Sequence, residues 1–205
     1  MTEPTTRCPA RCSSPAAYCG NCDLLVGLDG LHVLEVVAVD ERLRVRVESP
    51  PGPMGCPTCG VVAFSHGRRE VEMIDAPAFG RPVTLVWWKR TWSCPELTCP
   101  VAVFSEQDER VARPRVLLTM RASWWVVRQL RREHASVLGL ARQLGTIWKT
   151  VWRAIKPLLE VLDADPARFD GVQVVGVDEH VVRHEALLFR MEVRDLHRLV
   201  VVATG

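Results

Sequence analysis

Between residues 24 and 48 apolar and charged positions alternate, most clearly in LHVLEVVAVDERLRVRVES, the period-two pattern of strands with one buried face. Its interruption at Asp40 and Glu41 predicts a β-hairpin turning there. The run SPPGPMG then ends the pattern, because proline and glycine do not prolong a strand ladder. Two further strand-like runs, REVEMIDAP and RPVTLVWWKRTWSC, lie on either side of Phe79-Gly80-Arg81 and predict a second strand pair joined there. In the longer run alternation puts Trp88 and Trp92 on one face and Trp87 on the other, so one ring is expected in a core and another at the surface. A surface ring there suits packing against a neighbouring module or stacking on a base, packing being the simpler reading.

From Pro114 the period lengthens. Leu117, Met120, Trp124, Val127 and Leu130 recur at three- and four-residue intervals with arginines between them, which predicts a helix with a buried apolar stripe and a basic back. His134-Ala135-Ser136 breaks it, and Ser136 is placed to N-cap the next helix, VLGLARQLG. A third helix is expected from about Trp148 to Leu159, with Trp152, Ile155 and Leu159 as its buried stripe. After the loop DADPARFDG, the run VQVVGVDEHVV reads as an almost wholly apolar strand ending in Asp178 and Glu179.

Cysteine spacing adds chemistry to this outline. CPTCG brings Cys56 and Cys59 onto one turn and CPELTCP brings Cys94 and Cys99 onto another, a spacing at which four thiolates can surround one tetrahedral zinc. Gly60 supports the first turn, since glycine just past the second thiolate accepts positive φ. His66 is the one histidine between the knuckles, so a four-sulfur site has little competition there, and disulfides are the alternative. A structural zinc of this kind contributes on the order of 10–16 kcal/mol at neutral pH, so its removal should unfold this part. Cys8, Cys12, Cys19 and Cys22 fall in an irregularly spaced Pro/Ala/Ser-rich leader. They fit either a second zinc site or a poorly ordered extension, and the extension is the simpler reading.

Composition frames the class. A chain of 205 residues with 48% apolar content is expected to form small modules in series. No run approaches the roughly 20 apolar residues of a membrane span, and MTEPTTRCPARC lacks the apolar core of a secretion signal. The expected setting is the reducing cytoplasm, where paired cysteines hold metal more often than they form disulfides. The net charge of +2 hides a strong asymmetry, for residues 111–156 carry 10 basic side chains and 1 acidic one. Such a block is the electrostatic footprint of a polyanion-binding surface, with a merely solvated helix face as the alternative.

Within that block, Ala141, Gly145 and Val151 fall at the small-residue, turn-glycine and buried-aliphatic positions of a helix-turn-helix. The second helix would then lead into a major groove with Thr146, Trp148, Lys149, Thr150 and Arg153, and Arg142 would add a charge beside them. Arginine and lysine contacts to phosphate give affinity that falls steeply with salt, while two or three side chains read sequence. Asp178, on the rim of a buried strand, stands where an RNase H-like nuclease keeps its first metal-binding aspartate, although alone such a residue is more often a solvated strand-end carboxylate. Such enzymes need further carboxylates to hold two Mg²⁺ ions about 4 Å apart. Glu185, Glu192 and Asp195 are those that follow.

The knuckle pair, the segments GRREVEMIDAPAFGRPVTLVWWKRTWSCPELTCP and FSEQDER, then WWVVRQLRREHASVLGLARQLGTIWKTVWRAIKPLLE and VVGVDEH, taken in that order, resemble the amino-terminal half of an ISL3-family insertion-sequence transposase. The likeness covers roughly residues 24–180. It implies an α+β chain with a β hairpin plus zinc ribbon (24–110), a helix-turn-helix (111–162) and the start of an RNase H-like domain (172–205), while the leader (1–23), read as poorly ordered, falls outside the likeness. It further implies zinc on Cys56, Cys59, Cys94 and Cys99, Asp178 as a first catalytic carboxylate, and Mg²⁺ only for a complete site. The expected partner is double-stranded DNA at transposon terminal inverted repeats, in the nucleoid, joined by a second copy or a full-length transposase. The residues after His180 depart from the family pattern, and its second aspartate and its glutamate are missing, so the expectation is a truncated, DNA-binding form without cleavage activity of its own. The competing expectation is an active enzyme component completed by another chain or by Glu185, Glu192 and Asp195.

Overall fold

A computed structural model describes residues 18–170. The chain divides into two compact units, Met1–Glu160 and Val161–Gly205. In the first, helix α1 (Gly20–Val26) precedes β1 (His32–Val39), β2 (Arg42–Glu48), β3 (Phe64–Ala78), β4 (Arg81–Ser93) and β5 (Val103–Ser105), followed by α2 (Met120–Arg132), α3 (Val137–Gln143) and α4 (Trp148–Ala164). Of the second unit, the described residues hold the end of α4 and a 3-10 turn, Pro166–Phe169, capped by the Asp165 side chain on Ala167 N. The expected loop at 163–171 is therefore partly helical, and Asp178 lies outside the described residues. Among those residues no helix is long and apolar enough to cross a membrane.

The strands form one sheet in the order β1-β2-β4-β3, with β5 beside β4. The first hairpin turns where the alternation breaks, at Asp40 with φ 54°, and the second turns at Phe79 and Gly80 with φ 52° and 73°. What alternation does not reveal is that β2 and β4 pair in parallel, Leu43 opposite Val83 through Val47 opposite Trp87, which fuses hairpin and ribbon into one sheet. β3 occupies one flank of β4 along nearly its whole length, and β5 takes up the other flank at Thr91–Ser93, where β2 has ended. A bulge between Val33 and Glu35 lets Val33 and the adjacent Leu34 both be buried.

One face of the sheet carries the core: Val45, Val47, Met73, Val83, Leu85 and Trp87, closed over by Leu31, Val111 and Ala112. The other face is a charged lattice laid across β4. Arg44 reaches Glu72 at 2.7 Å, Arg46 reaches Glu70 at 2.8 Å, and Arg68 pairs with Glu48. The buried Val86 lies in register between Arg46 of β2 and Glu72 of β3. Trp88 lies between the guanidinium groups of Arg46 and Arg68, at 4.9 and 4.2 Å. Trp87 joins the core and Trp88 the charged face, as alternation predicts, but none of the three rings is fully exposed: Trp87 and Trp92 are buried and Trp88 is half-buried beside the two arginines.

Helix α1 begins inside the stretch read as leader, which corrects the boundary at residue 23. Its Asp23 carboxylate accepts from Val33 N at 2.7 Å and contacts His32 Nδ1 at 2.8 Å, pinning the helix to β1. Tyr18 stacks on His32 at 3.9 Å and donates to Glu48 Oε1 at 2.8 Å. These polar ties hold a helix that has no buried residue of its own.

Candidate metal centre and basic helical surface

Each cysteine pair sits on a tight backbone loop closed by its own hydrogen bonds. In the first, Gly60 N donates to Cys56 O at 2.9 Å, Cys56 N to Val61 O at 2.8 Å and Ala63 N to Met54 O at 2.8 Å. Gly60 takes φ 76°, the left-handed conformation its place predicts. In the second, Cys94 N donates to Ala102 O at 2.9 Å and Cys99 N to Glu96 O at 3.1 Å. The longer loop is held from within, because the Glu96 carboxylate accepts from Thr98 Oγ1 at 2.8 Å and from Thr98 N at 3.2 Å. Those bonds hold the Glu96 carboxyl below its usual range.

The two loops bring Cys56, Cys59, Cys94 and Cys99 together, with all four sulfurs within 4.8 Å of one another. Cys56 Sγ lies 3.7 Å from Cys99 Sγ, and Cys59 Sγ lies 3.5 Å from Cys94 Sγ. A tetrahedral zinc with Zn–S bonds near 2.3 Å has sulfur–sulfur edges of about 3.8 Å, which the Cys56–Cys99 and Cys59–Cys94 pairs already approach, so the four sulfurs could hold zinc. The charges agree. Backbone N–H groups of Cys59 and Thr58 lower the Cys56 thiol to about 6. At Cys94 the backbone N–H of Glu96 favours the thiolate, yet burial and the neighbouring sulfurs outweigh it and push the thiol up to about 12. Cys99 is raised as well, by burial and by Cys56 and Cys59, against the backbone N–H of Val101. Once one sulfur is charged its neighbours resist ionising, and a dication in the middle removes that resistance.

The helical part is tied to the sheet at two points that sequence patterning did not reveal. Ile74 on β3 bridges the segment before α2: Ile74 N donates to Leu117 O at 2.7 Å and Thr119 N to Ile74 O at 2.9 Å. Beside it the fully buried Asp75 accepts from Thr119 Oγ1 at 2.6 Å and from Arg121 Nε at 2.7 Å, and Arg121 also reaches the carbonyl of Val26. Thr119 caps α2 through Ala122 N at 3.1 Å. Helix α2 therefore starts at Met120, not near Pro114. Its buried face is Ala122, Ser123, Val126 and Val127, while Leu117 and Trp124, read as core, are 56% and 39% exposed. Of the expected stripe only Val127 is buried, because the capped start and the Asp75–Arg121 pair set the helix rotation.

The second tie is at the turn between α3 and α4. Ser136 caps α3 by accepting from Gly139 N at 3.1 Å. Ala141 and Val151 are fully buried, and Gly145 turns the chain with φ 64°. Arg42, at the start of β2, donates from Nη2 to Gly145 O at 2.9 Å and from Nη1 to Thr84 Oγ1 at 3.3 Å. Helix α4 buries Val151, Ala154, Ile155 and Leu158. Trp152 and Leu159 are only half-buried, so the expected stripe of Trp152, Ile155 and Leu159 is shifted by one position at both ends. Arg142, Trp148, Lys149 and Arg153 are exposed, with Thr146 and Thr150 half-buried beside them. Lys149 Nζ lies 6.0 Å from the centre of the Trp148 ring.

The segment holding both knuckles, residues 52–99, matches the family described as zinc-finger of transposase IS204/IS1001/IS1096/IS1165. All four clustered cysteines fall within the match. No curated protein and no solved structure gives a significant match to the chain. Residues 52–99 are thus similar to a transposase zinc ribbon, which supports a transposase-related role.

Proposed function

We propose that this chain binds DNA at the terminal inverted repeats of an ISL3-type transposon, with zinc holding the sheet as a platform and α3–α4 acting as a helix-turn-helix. The observation that carries the reading is the exposure of Arg142, Trp148, Lys149 and Arg153 around a corner closed by the buried Ala141 and Val151. A solvated face would need no such corner, and a turn glycine locked against the sheet by Arg42 holds the leading end of α4 in a fixed attitude. Cys56, Cys59, Cys94 and Cys99 would bind zinc as a structural ion, and Asp178 is assigned no step.

The test is fluorescence anisotropy with a duplex carrying the inverted repeats that flank the gene. Lys149→Ala and Arg153→Ala should each weaken binding, lower the slope of log affinity against log salt by about 1, and leave zinc content unchanged. Unaltered affinity and slope in both variants would remove α4 from the interface.

A further inference from the structure

Trp124 is an aromatic ring on a surface rich in cations. It borders an open recess of about 560 Å³ whose other walls are Arg110, Met120, Arg121 and Arg128. These arginines are not equivalent. Arg121 is committed to Asp75 and the carbonyl of Val26, so it is part of the wall. Arg110 is held by Asp108, through Nε at 3.0 Å and Nη2 at 2.7 Å, with its side chain 78% exposed. Arg128 makes no ion pair among the described residues, and the exposed Arg131 and Arg132 follow it at three- and four-residue spacing, the same side of a helix.

We propose that this face of α2 binds single-stranded DNA, an unpaired base stacking on Trp124 while the adjoining phosphates meet Arg128 and Arg131 or Arg132. Duplex DNA presents phosphates to such arginines but keeps its base faces stacked inside, leaving the indole without a partner. An unpaired base offers its π-face, and aromatic rings flanked by cations are how single strands are held without sequence readout. The surface and the form of the nucleic acid both differ from those assigned to α4, so this inference stands whether or not α4 reads a duplex.

The experiment compares the zinc-loaded full chain and its variants on labelled oligo(dT) and on a blunt duplex, by anisotropy. Trp124→Ala should weaken oligo(dT) binding about tenfold and leave the duplex affinity unchanged, and Arg128→Ala should weaken oligo(dT) binding more than duplex binding. Trp124→Phe, which keeps an aromatic face, should retain most of the oligo(dT) affinity. Lys149→Ala, on the other surface, should leave oligo(dT) binding unchanged. Alanine is the best helix former and α2's core face does not include Trp124, so the variants should keep the parental circular dichroism spectrum. The inference is overturned if the parent fails to bind oligo(dT), if Trp124→Ala binds it normally, if both DNA forms lose affinity in parallel, or if sedimentation shows that Trp124 instead supports self-association.

Discussion

Gly145 is constrained twice. Its φ of 64° is strained for any residue with a Cβ, and a Cβ built there would meet Pro82 Cβ at 3.2 Å and press on the Arg42 guanidinium. The left-handed conformation alone costs a non-glycine residue roughly 1–2 kcal/mol. Gly145→Ala should therefore lower stability in urea by at least that amount, and by less in an Arg42→Ala background, where the crowding guanidinium is gone. Equal costs in both backgrounds would show that Arg42 does not press on the turn. Asp75 is the second decisive residue, since a fully buried carboxylate that pairs Arg121 and Thr119 cannot be removed without stranding both. Breaking such a pair from one side costs on the order of 3 kcal/mol, the lower end of its range because Arg121 keeps about a third of its side chain in water. Asp75→Ala is expected to lose about that much by denaturant melt. A change below 1 kcal/mol would show that the pair is not holding α2.

At the level of elements, zinc loops and hairpins were legible because their signals are local. The break at Asp40-Glu41, the Phe79-Gly80 turn, the cysteine pairs and the Ser136 cap each depend on a few adjacent residues, and each appears where it was read. Three features were not legible, and all depend on partners distant in sequence. The parallel pairing of β2 with β4 joins residues about forty apart, which no alternation can announce. The rotation of α2 is set by Ile74 and Asp75 on β3, so a periodicity that favoured Trp124 as core was overridden. Helix α1 is short, leaves Leu24 and Leu25 exposed, and is tied to the backbone of β1 through the Asp23 side chain; an apolar stripe gives no warning of it. The metal site yields an element-level prediction. Both loops supply half the ligands, so Cys59→Ser on the first and Cys94→Ser on the second should each abolish stoichiometric zinc, read by atomic emission. Full zinc content in either variant would mean that the four sulfurs do not act as one site.

Across the first unit, metal and helices share a single mechanical path. β3 leaves the first knuckle at Phe64, runs the length of the sheet, and ends where Ile74 and Asp75 fasten α2; β4 returns beside it to the second knuckle at Cys94. Arg42 and Thr84, on β2 and β4, then fix the turn between α3 and α4. A ribbon that was merely strung to a helical module would lose zinc without consequence for the helices. Here the strands that close the metal loops also carry the helix anchors, so zinc removal should lower the helical and sheet transitions together. At a free zinc concentration 1,000 times its dissociation constant, binding adds about 4 kcal/mol, which for a domain of this size corresponds to a rise in Tm of roughly 10 °C. Chelation should reverse that rise, read both by tryptophan fluorescence, dominated by rings on β4 and the helices, and by ellipticity at the helix minimum, with one midpoint for the two signals. An ellipticity midpoint that stays put while the fluorescence midpoint falls would separate ribbon from helices. It would also place the helical surface, with Trp124, Lys149 and Arg153, outside zinc's control.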